Sequence, residues 1–298
     1  MTTVAITLRL GTRGSRLAIA QAQEAASALT KLLGTGSVEM VEIRTTGDAI
    51  SERRPAGHLV VGDGQFTGEL EQALIENRID VAVHSLKDLP TASNPALRLG
   101  AILKRGDPRD CLLSRHPGGL RGLPFGGLIG TSSVRRAAQL AAARIDLVAR
   151  PIRGNVDTRL RRLEAGEYDA LLLAAAGLDR LDVPVSEDDR LPLDLMLPAP
   201  GQGALALQVR ADDVPVVAVL DHEPTRVAVQ AERALLRALG GGCLAPLGAL
   251  ADVVDGRFRL RAAYEGKRGF TRVDVSGPAD RPAEVVAEAT ARIREATA

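Results

Sequence analysis

Residues 8–25 read "LRLGTRGSRLAIAQAQEA", and residues 127–143 read "GLIGTSSVRRAAQLAAA". Each stretch places a short apolar run before Gly-Thr, then serine and arginine, then an alanine- and glutamine-rich segment. This order predicts a β-strand, a tight turn and an amphipathic helix. Because the plan occurs twice in one chain, it predicts two similar α/β lobes rather than one continuous sheet.

A second pair of stretches extends the repeat. Residues 70–89, "LEQALIENRIDVAVHSLKDL", and residues 160–181, "LRRLEAGEYDALLLAAAGLDRL", each read as a helix followed by an Asp-led buried strand. Alternating helices and strands are typical of α/β domains with a parallel or mixed sheet. The sequence therefore predicts the α/β fold class for both lobes.

The domain boundaries follow from breaks in this pattern. A Gly-Asp-Pro break near Gly106 marks the crossover out of the first lobe, and the apolar strand in "GALALQVR" returns to it. The remainder reads as a helix, a glycine-rich loop, three β-type runs and a final helix, which indicates a small α+β domain. We expect lobe 1 in residues 1–104 plus 202–221, lobe 2 in residues 105–201, and the third domain in residues 222–298.

Composition narrows the function class. A net charge of +1, 2% aromatic residues and no tryptophan argue against a nucleic-acid-binding protein. The chain contains no Walker-type loop and no G-x-G-x-x-G motif, so a nucleotide is not the expected ligand. The four histidines and two cysteines lack metal-ligand spacing, and the start "MTTVAITLRL" lacks the features of a secretory signal. We expect a cytoplasmic protein without metal, membrane span or disulfide framework.

Three turns combine helix-capping residues with arginine. Backbone N–H groups at a helix start favour anions, and cations are disfavoured there. Arginine at three such starts makes sense if an anion with several carboxylates or phosphates is bound. The alternative is that the polar residues are ordinary N-caps and the arginines lie in solvent. The candidate residues in these turns are Gly11, Thr12, Arg13, Ser15, Thr131, Ser132, Ser133, Arg135, Arg136, Arg153, Asn155 and Arg159.

Asp88 follows an apolar strand in "DVAVHSLKDLP", at the carboxyl end where active-site groups of α/β domains usually lie. It is a candidate general acid or base, or a group that stabilises a developing cation. A salt bridge with Lys87, or a role as a turn residue, is an equally open reading. His84, in the same strand, is expected to be a hydrogen-bonded core residue.

Cys243 lies in "LGGGCLAPLG", directly after three glycines, whereas Cys111 lies in the apolar run "DCLL". Cys111 has the setting of a core residue, and Cys243 has the setting of a presented one. Cys243 follows a predicted helix C-terminus, whose negative end raises a thiol pKa. Such a setting disfavours Cys243 as a nucleophile used at every turnover.

Seven motifs together resemble the porphobilinogen deaminase family, in the family order and over residues of about 8 to 248. The motifs are "TRGS", "AVHSLKDLP", "GTSSVRR", "IRGNVDTRL", "GEYDALLLAAAGL", "LPAPGQGALA" and "GGCLAPLG". The resemblance implies two lobes like those of periplasmic binding proteins plus a third domain. It also implies a monomeric transferase of tetrapyrrole (haem) biosynthesis that deaminates and condenses four porphobilinogen molecules into hydroxymethylbilane and releases ammonia.

The resemblance also implies site residues. Cys243 matches the cysteine that carries a covalent dipyrromethane cofactor, and Asp88 matches the family's catalytic aspartate. Further cofactor-binding residues are expected at Lys87, Asp88, Thr131, Ser132, Ser133, Arg135, Arg136, Arg153 and Gly154. Substrate-binding residues are expected at Arg13, Ser15, Phe66, Arg153, Asn155, Arg159, Arg180 and Gln202.

The sequence departs from the family in the loop "VGDGQFTGEL", where Asp63 replaces a common lysine or threonine. A carboxylate facing a polyanionic chain is repulsive, so we expect Asp63 to point to solvent. The main alternative function is a non-catalytic two-lobed binding protein for an anionic metabolite. It accounts for the repeated lobes and the arginines, but not for the third domain or the cysteine behind three glycines.

Overall fold

A computed structural model describes residues 7–34, 37–43, 67–92, 94–213, 216–241 and 245–297. Asp63, Phe66 and Cys243 lie outside these residues, so their predicted positions are not tested. The described residues form two compact units, the first of residues 7–105 and 204–225 and the second of residues 106–203 and 226–297. Residues 106–201 of predicted lobe 2 and residues 226–297 of the predicted third domain lie in the second unit. The three-domain division stays a prediction.

The described residues contain twelve strands and eight α-helices, numbered here in chain order. The strands are β1 Leu8–Arg13, β2 Val38–Ile43, β3 Val81–Ser85, β4 Leu97–Ile102, β5 Asp110–Ser114, β6 Leu128–Gly130, β7 Val148–Arg150, β8 Ala170–Ala174, β9 Leu205–Arg210, β10 Leu247–Val254, β11 Arg257–Gly266 and β12 Gly269–Pro278. The helices are α1 Arg16–Leu33, α2 Gly68–Ile75, α3 Gly119–Gly122, α4 Val134–Ala143, α5 Val156–Glu164, α6 Ala175–Arg180, α7 Glu223–Ala238 and α8 Pro282–Thr297.

The predicted internal repeat is visible in the two α/β sheets. The first sheet has the order β2-β1-β3-β9-β4, and the second has the order β7-β6-β8-β5. In both, a central strand pairs in parallel with two neighbours, and the third strand then pairs with an antiparallel one. Helices α1 and α4 occupy equivalent places after β1 and β6. The two-lobed α/β prediction is confirmed, including the return of β9 to the first sheet.

Helix α1 shows how the repeated turn works. Ser15 is its N-cap, and the Ser15 hydroxyl accepts a hydrogen bond from the Ala18 N–H (3.3 Å). One face of the helix, which includes Ala22, Ala25 and Leu29, is buried against the sheet. The helix ends at Gly34, whose φ of 96° favours glycine. The turn residues therefore set where the first helix begins and the direction in which it leaves the strand.

The third sheet is antiparallel, with the order β10-β11-β12. Helices α7 and α8 cover one side of it, and Leu235, Phe258, Leu260 and Ile293 lie fully buried in the shared core. These elements confirm the predicted small α+β domain. Within the same unit, the Ala249 N–H donates to the Pro198 carbonyl (2.8 Å), so β10 is tied to the segment that precedes "GQG".

Candidate functional site

The turn before α4 uses its hydroxyl groups to shape the backbone. The Ser133 hydroxyl accepts a hydrogen bond from the Arg136 N–H (3.4 Å), and the Thr131 hydroxyl accepts one from the Ser133 N–H (3.1 Å). The Ser132 hydroxyl donates to the Ile152 carbonyl (2.7 Å) and accepts from the Ile152 N–H (3.1 Å). The reading of these residues as caps and turn residues therefore holds, and their contact with a cofactor stays a prediction.

Arg135 and Arg136, at the start of α4, share an internal carboxylate. Asp110, the first residue of β5, accepts from Arg135 Nη1 at Oδ2 (2.6 Å) and from Arg136 Nη2 at Oδ1 (2.6 Å). All three residues are buried, with Asp110 at 0%, Arg135 at 4% and Arg136 at 7% exposure. Asp110 therefore supplies one negative charge for the pair from within the protein, and contact of Arg135 and Arg136 with an external anion stays a prediction.

Electrostatics in this cluster follow from burial and pairing. Burial by itself raises the pKa of Asp110, but the charges of Arg135 and Arg136 and their hydrogen bonds hold that pKa well below its ordinary value. Burial lowers the pKa of Arg135, and the charge of Arg136 adds to this effect. Asp110 is therefore a stable carboxylate at neutral pH, and it neutralises only one of its two arginines.

Gln202 belongs to the same cluster. It is fully buried, and its Nε2 donates to Asp110 Oδ1 (2.9 Å) and to the Pro108 carbonyl (2.8 Å). Nε2 is thus used within the protein, and the predicted contact of Gln202 with substrate is not tested. Gln202 joins the Asp110 carboxylate to the segment where the chain enters β5.

The start of α5 carries the third arginine turn. Asn155 is the N-cap, as predicted, and its side chain accepts from the Thr158 N–H (2.9 Å). Arg159 Nε donates to the Gly154 carbonyl (2.9 Å), and the φ of Gly154 is 99°. Arg153 precedes the cap and is half-buried. The hydrogen bond to Gly154 therefore holds the partly buried Arg159 guanidinium group near the start of α5.

Arg159 forms no ion pair with any carboxylate of the described residues. Burial, together with the charge of Arg136, lowers the pKa of Arg159 to about 10. Three partly or fully buried guanidinium groups, those of Arg135, Arg136 and Arg159, thus have one carboxylate, Asp110, among them. Positive charge is in excess here, and burying uncompensated charge is costly. This part of the second unit fits a ligand that carries carboxylates.

Asp88 lies in the first unit, in a short 3₁₀ helix (Leu86–Asp88) directly after β3. Its carboxylate is exposed and makes no hydrogen bond or ion pair with the described residues, so the salt bridge with Lys87 is not formed, whereas the 3₁₀ turn agrees with the alternative reading of Asp88 as a turn residue. Lys87 and Arg13 are half-buried, and Ser85 accepts a hydrogen bond from Gln21 Nε2 (2.7 Å). The structure therefore leaves the Asp88 carboxylate accessible for chemistry.

Arg180 is half-buried in the second unit. Its Nη2 donates to the Gly203 carbonyl (3.2 Å), one residue after Gln202.

Among the described residues, no group of three or more histidine, cysteine, aspartate or glutamate side chains could hold a metal ion. Nor does any described helix have the length and apolar character required to cross a bilayer.

His84 is buried in β3, as expected for a core residue, and its Nε2 has no hydrogen-bond partner among the described residues. Burial lowers the pKa of His84 to about 4. The side-chain interaction with Gln208 opposes this shift, and the positive charge of Arg13 adds to it. In the unfolded chain a histidine takes up its proton near pH 6.5. His84 therefore makes folding less favourable as the pH falls from about 6.5 to 4, by about 1.4 kcal/mol per pH unit.

A His84→Leu variant is expected to lose this acid sensitivity. In urea unfolding, its free energy of unfolding should fall by about 2 kcal/mol less than that of the parent between pH 7 and pH 5. Between pH 7 and pH 9 the two proteins should show the same pH dependence. Parallel curves over the acid range would contradict the assignment of a buried neutral histidine.

Comparisons with known proteins identify the family. Residues 8–218 match the family model described as "Porphobilinogen deaminase, dipyromethane cofactor binding domain", and residues 227–295 match the C-terminal domain of the same family. The chain belongs to the porphobilinogen deaminase family. The predicted resemblance is confirmed over both parts of the chain.

Relatives in the porphobilinogen deaminase family are similar over nearly the whole chain. The enzyme named porphobilinogen deaminase from Desulforudis audaxviator is 51% identical over 279 residues, covering 92% of this chain and 89% of its own length. The one from Thermus thermophilus is 46% identical over 275 residues, covering 90% and 89%. Among solved structures, a TRAP periplasmic solute binding protein from Desulfovibrio salexigens aligns over 74% of each chain with 12% identity and a TM-score of 0.41.

The sequence prediction for this porphobilinogen deaminase family member missed Asp110. The only signal was an aspartate placed directly before the apolar run "CLL", where a charged side chain at a strand start needs a partner if buried. Its partners lie 25, 26 and 92 positions away in sequence. Spacing alone does not reveal contacts at such separations.

Proposed function

We propose that this chain deaminates and condenses four porphobilinogen molecules head to tail into hydroxymethylbilane. The chain would grow on a dipyrromethane cofactor attached through Cys243, release ammonia, and free the product by hydrolysis. The proposal includes the cytoplasmic monomer without metal that the sequence suggested. Membership of the porphobilinogen deaminase family supports the reaction, and the match to its dipyrromethane cofactor binding domain supports the cofactor.

The observation that carries the proposal is the charge imbalance among Arg135, Arg136, Arg159 and Asp110. Each porphobilinogen ring carries an acetate and a propionate group, so a growing pyrrole chain accumulates carboxylates. A site with excess buried positive charge stabilises such a chain through charge-assisted hydrogen bonds. When bound, dipyrromethane would supply the terminal pyrrole carbon to which the first porphobilinogen is joined.

Residues of the chain divide the work between holding carboxylates and handling the departing amine. We assign the binding of the cofactor carboxylates to Arg135, Arg136, Arg153, Lys87 and the turn before α4. We assign the binding of the incoming porphobilinogen ring to Arg159, Arg13, Ser15, Asn155, Phe66 and Arg180. The exposed Asp88 carboxylate would stabilise the positive charge that develops as ammonia leaves, and it would accept pyrrole N–H groups. Gln202 is left out of the substrate contacts because its amide is used internally.

Turnover of porphobilinogen tests the reaction directly. The purified protein should consume porphobilinogen and release one ammonia for each molecule consumed, with a linear tetrapyrrole as product. Binding of porphobilinogen without any ammonia would contradict the proposal and would favour a binding protein for an anionic metabolite.

Arg159→Gln is expected to raise the KM for porphobilinogen by roughly 10- to 100-fold, because a hydrogen bond to a charged group contributes about 1.5–3 kcal/mol. Arg161→Gln, an exposed position on the same helix, is the matched control and should keep the parent KM. Steady-state kinetics at fixed ionic strength measure both variants. Equal KM values for Arg159→Gln and the parent would remove Arg159 from the substrate site.

A further inference from the structure

Asp110 is built into the second unit by its backbone as well as by its side chain. It pairs with Ala174 at the start of the β5–β8 ladder, and its carbonyl accepts from the Leu191 N–H (2.8 Å). The backbone of Asp110, from which the carboxylate extends, therefore has a fixed position in the sheet. A side chain as short as aspartate, anchored on both sides, has little freedom to follow its partners.

The two carboxylate oxygens serve different arginines. Oδ2 accepts from Arg135 Nη1, which also donates to the Leu197 carbonyl (2.6 Å). Oδ1 accepts from Arg136 Nε (3.1 Å) and Nη2 (2.6 Å), while Arg136 Nη1 donates to the Leu172 carbonyl (2.9 Å). All three nitrogens of the Arg136 guanidinium group are thus held, which fixes its plane, and Arg135 is held through Nη1 by two acceptors.

Gln202 donates a hydrogen bond to the Asp110 carboxylate, and further hydrogen bonds fix the turn that contains Gln202. The Gln202 N–H donates to the Ala199 carbonyl (2.8 Å), and the neighbouring Gly201 N–H donates to the buried Glu232 carboxylate (2.7 Å). The other Glu232 oxygen accepts from the Ala251 N–H in β10 (2.9 Å). A continuous set of hydrogen bonds therefore runs from β10 through Gln202 to Asp110 and the two arginines.

We propose that Asp110 is a positioning residue for the cofactor site: it fixes the side chains of Arg135 and Arg136 before any pyrrole carboxylate arrives, and Gln202 fixes Asp110. The inference rests on the proposed function. Its physical reason is preorganisation, because donors that are already oriented lose little freedom when the anion binds. Without the carboxylate, two buried guanidinium groups repel each other and turn toward other acceptors.

Gln202→Met is the primary test, since it keeps the side-chain volume and removes the amide that holds Asp110. Its KM for porphobilinogen is expected to rise on the order of 10- to 100-fold, as for a modest misplacement of binding groups. Kinetics should be normalised to the fraction of chains that carry dipyrromethane, measured by intact mass. That fraction is expected to fall in Gln202→Met and to fall further in Asp110→Asn, whose buried arginines lose their counter-ion.

Gln208→Met is the matched control. Gln208 is another buried glutamine, in β9, whose Nε2 donates to Glu71 Oε1 (2.8 Å) and which has no bond to Asp110, Arg135 or Arg136. It should lower the unfolding temperature about as much as Gln202→Met while leaving KM and cofactor fraction at parent values. Parent kinetics in Gln202→Met, or the same rise of KM in both variants, would overturn the positioning role. A parent protein that carries no dipyrromethane and releases no ammonia would instead overturn the proposed function, and this inference with it.

Discussion

Cys243→Ser is expected to be purified without dipyrromethane and to release no ammonia from porphobilinogen. A thiolate is a far better nucleophile than a serine hydroxyl, so the substituted chain has no group that forms the covalent link. Cys243 itself lies outside the described residues, but its flanks are defined by the end of α7 at Ala238 and the start of β10 at Leu247. The cysteine is therefore confined to a short connection between two elements of one core.

Glycine is required in that connection for reasons visible in its described part. Gly240 has a φ of 69°, and a Cβ on Gly241 would lie 2.5 Å from the Ala245 Cβ. Both positions therefore exclude larger residues. Local backbone geometry therefore favours glycine at positions 240 and 241.

Intact mass and peptide mapping measure the expected loss. The parent should show an excess equal to two condensed pyrrole units on the Cys243 peptide, and Cys243→Ser should show none. Cys111→Ala is the matched control, because Cys111 is fully buried in β5 and burial raises the pKa of its thiol to about 12. It should keep the cofactor and the turnover. An excess mass that persists in Cys243→Ser, or that maps to Cys111, would contradict the proposed attachment.

The repeated architecture was predictable because it rests on local signals. A Gly-Thr turn, a capping serine such as Ser15 or Ser133, and an alanine-rich helix are each written in a few consecutive residues. The return of β9 to the first sheet was also visible as an apolar run after a glycine turn. The antiparallel pairing of β9 with β3 depends on contacts between segments more than 100 residues apart, which no local pattern encodes.

The site was predictable in its residue types but not in its charge pairing. The helix-start arginines marked a charged cluster, yet Arg135 and Arg136 share the single carboxylate of Asp110 inside the protein, and Arg159 has no ion pair with the described residues. The same limit applied to Gln202, whose motif suggested a ligand contact while its burial makes it a partner of Asp110. Sequence motifs indicate which residue types a site contains, whereas burial and hydrogen bonding in the folded protein determine which of them can contact the ligand.

Asp88→Asn is expected to lower the rate of porphobilinogen turnover by about 100-fold or more, in the range typical for removal of a general acid or base. The structure separates this effect from folding. The Asp88 carboxylate is exposed after β3 and has no hydrogen bond or ion pair with the described residues, so its charge contributes little to stability. The urea midpoint of Asp88→Asn should therefore equal that of the parent.

Asp88→Glu and a surface control complete the test. Asp88→Glu keeps the charge but moves it by one methylene, so its rate should lie between those of the parent and Asp88→Asn. Asp212→Asn removes another exposed carboxylate from the same unit and should leave both rate and stability unchanged. Rates are to be compared per chain that carries dipyrromethane, because a loss of cofactor would otherwise imitate a loss of chemistry. A parent rate in fully loaded Asp88→Asn would remove Asp88 from the reaction, and the positive charge on the leaving amine would then require another carboxylate.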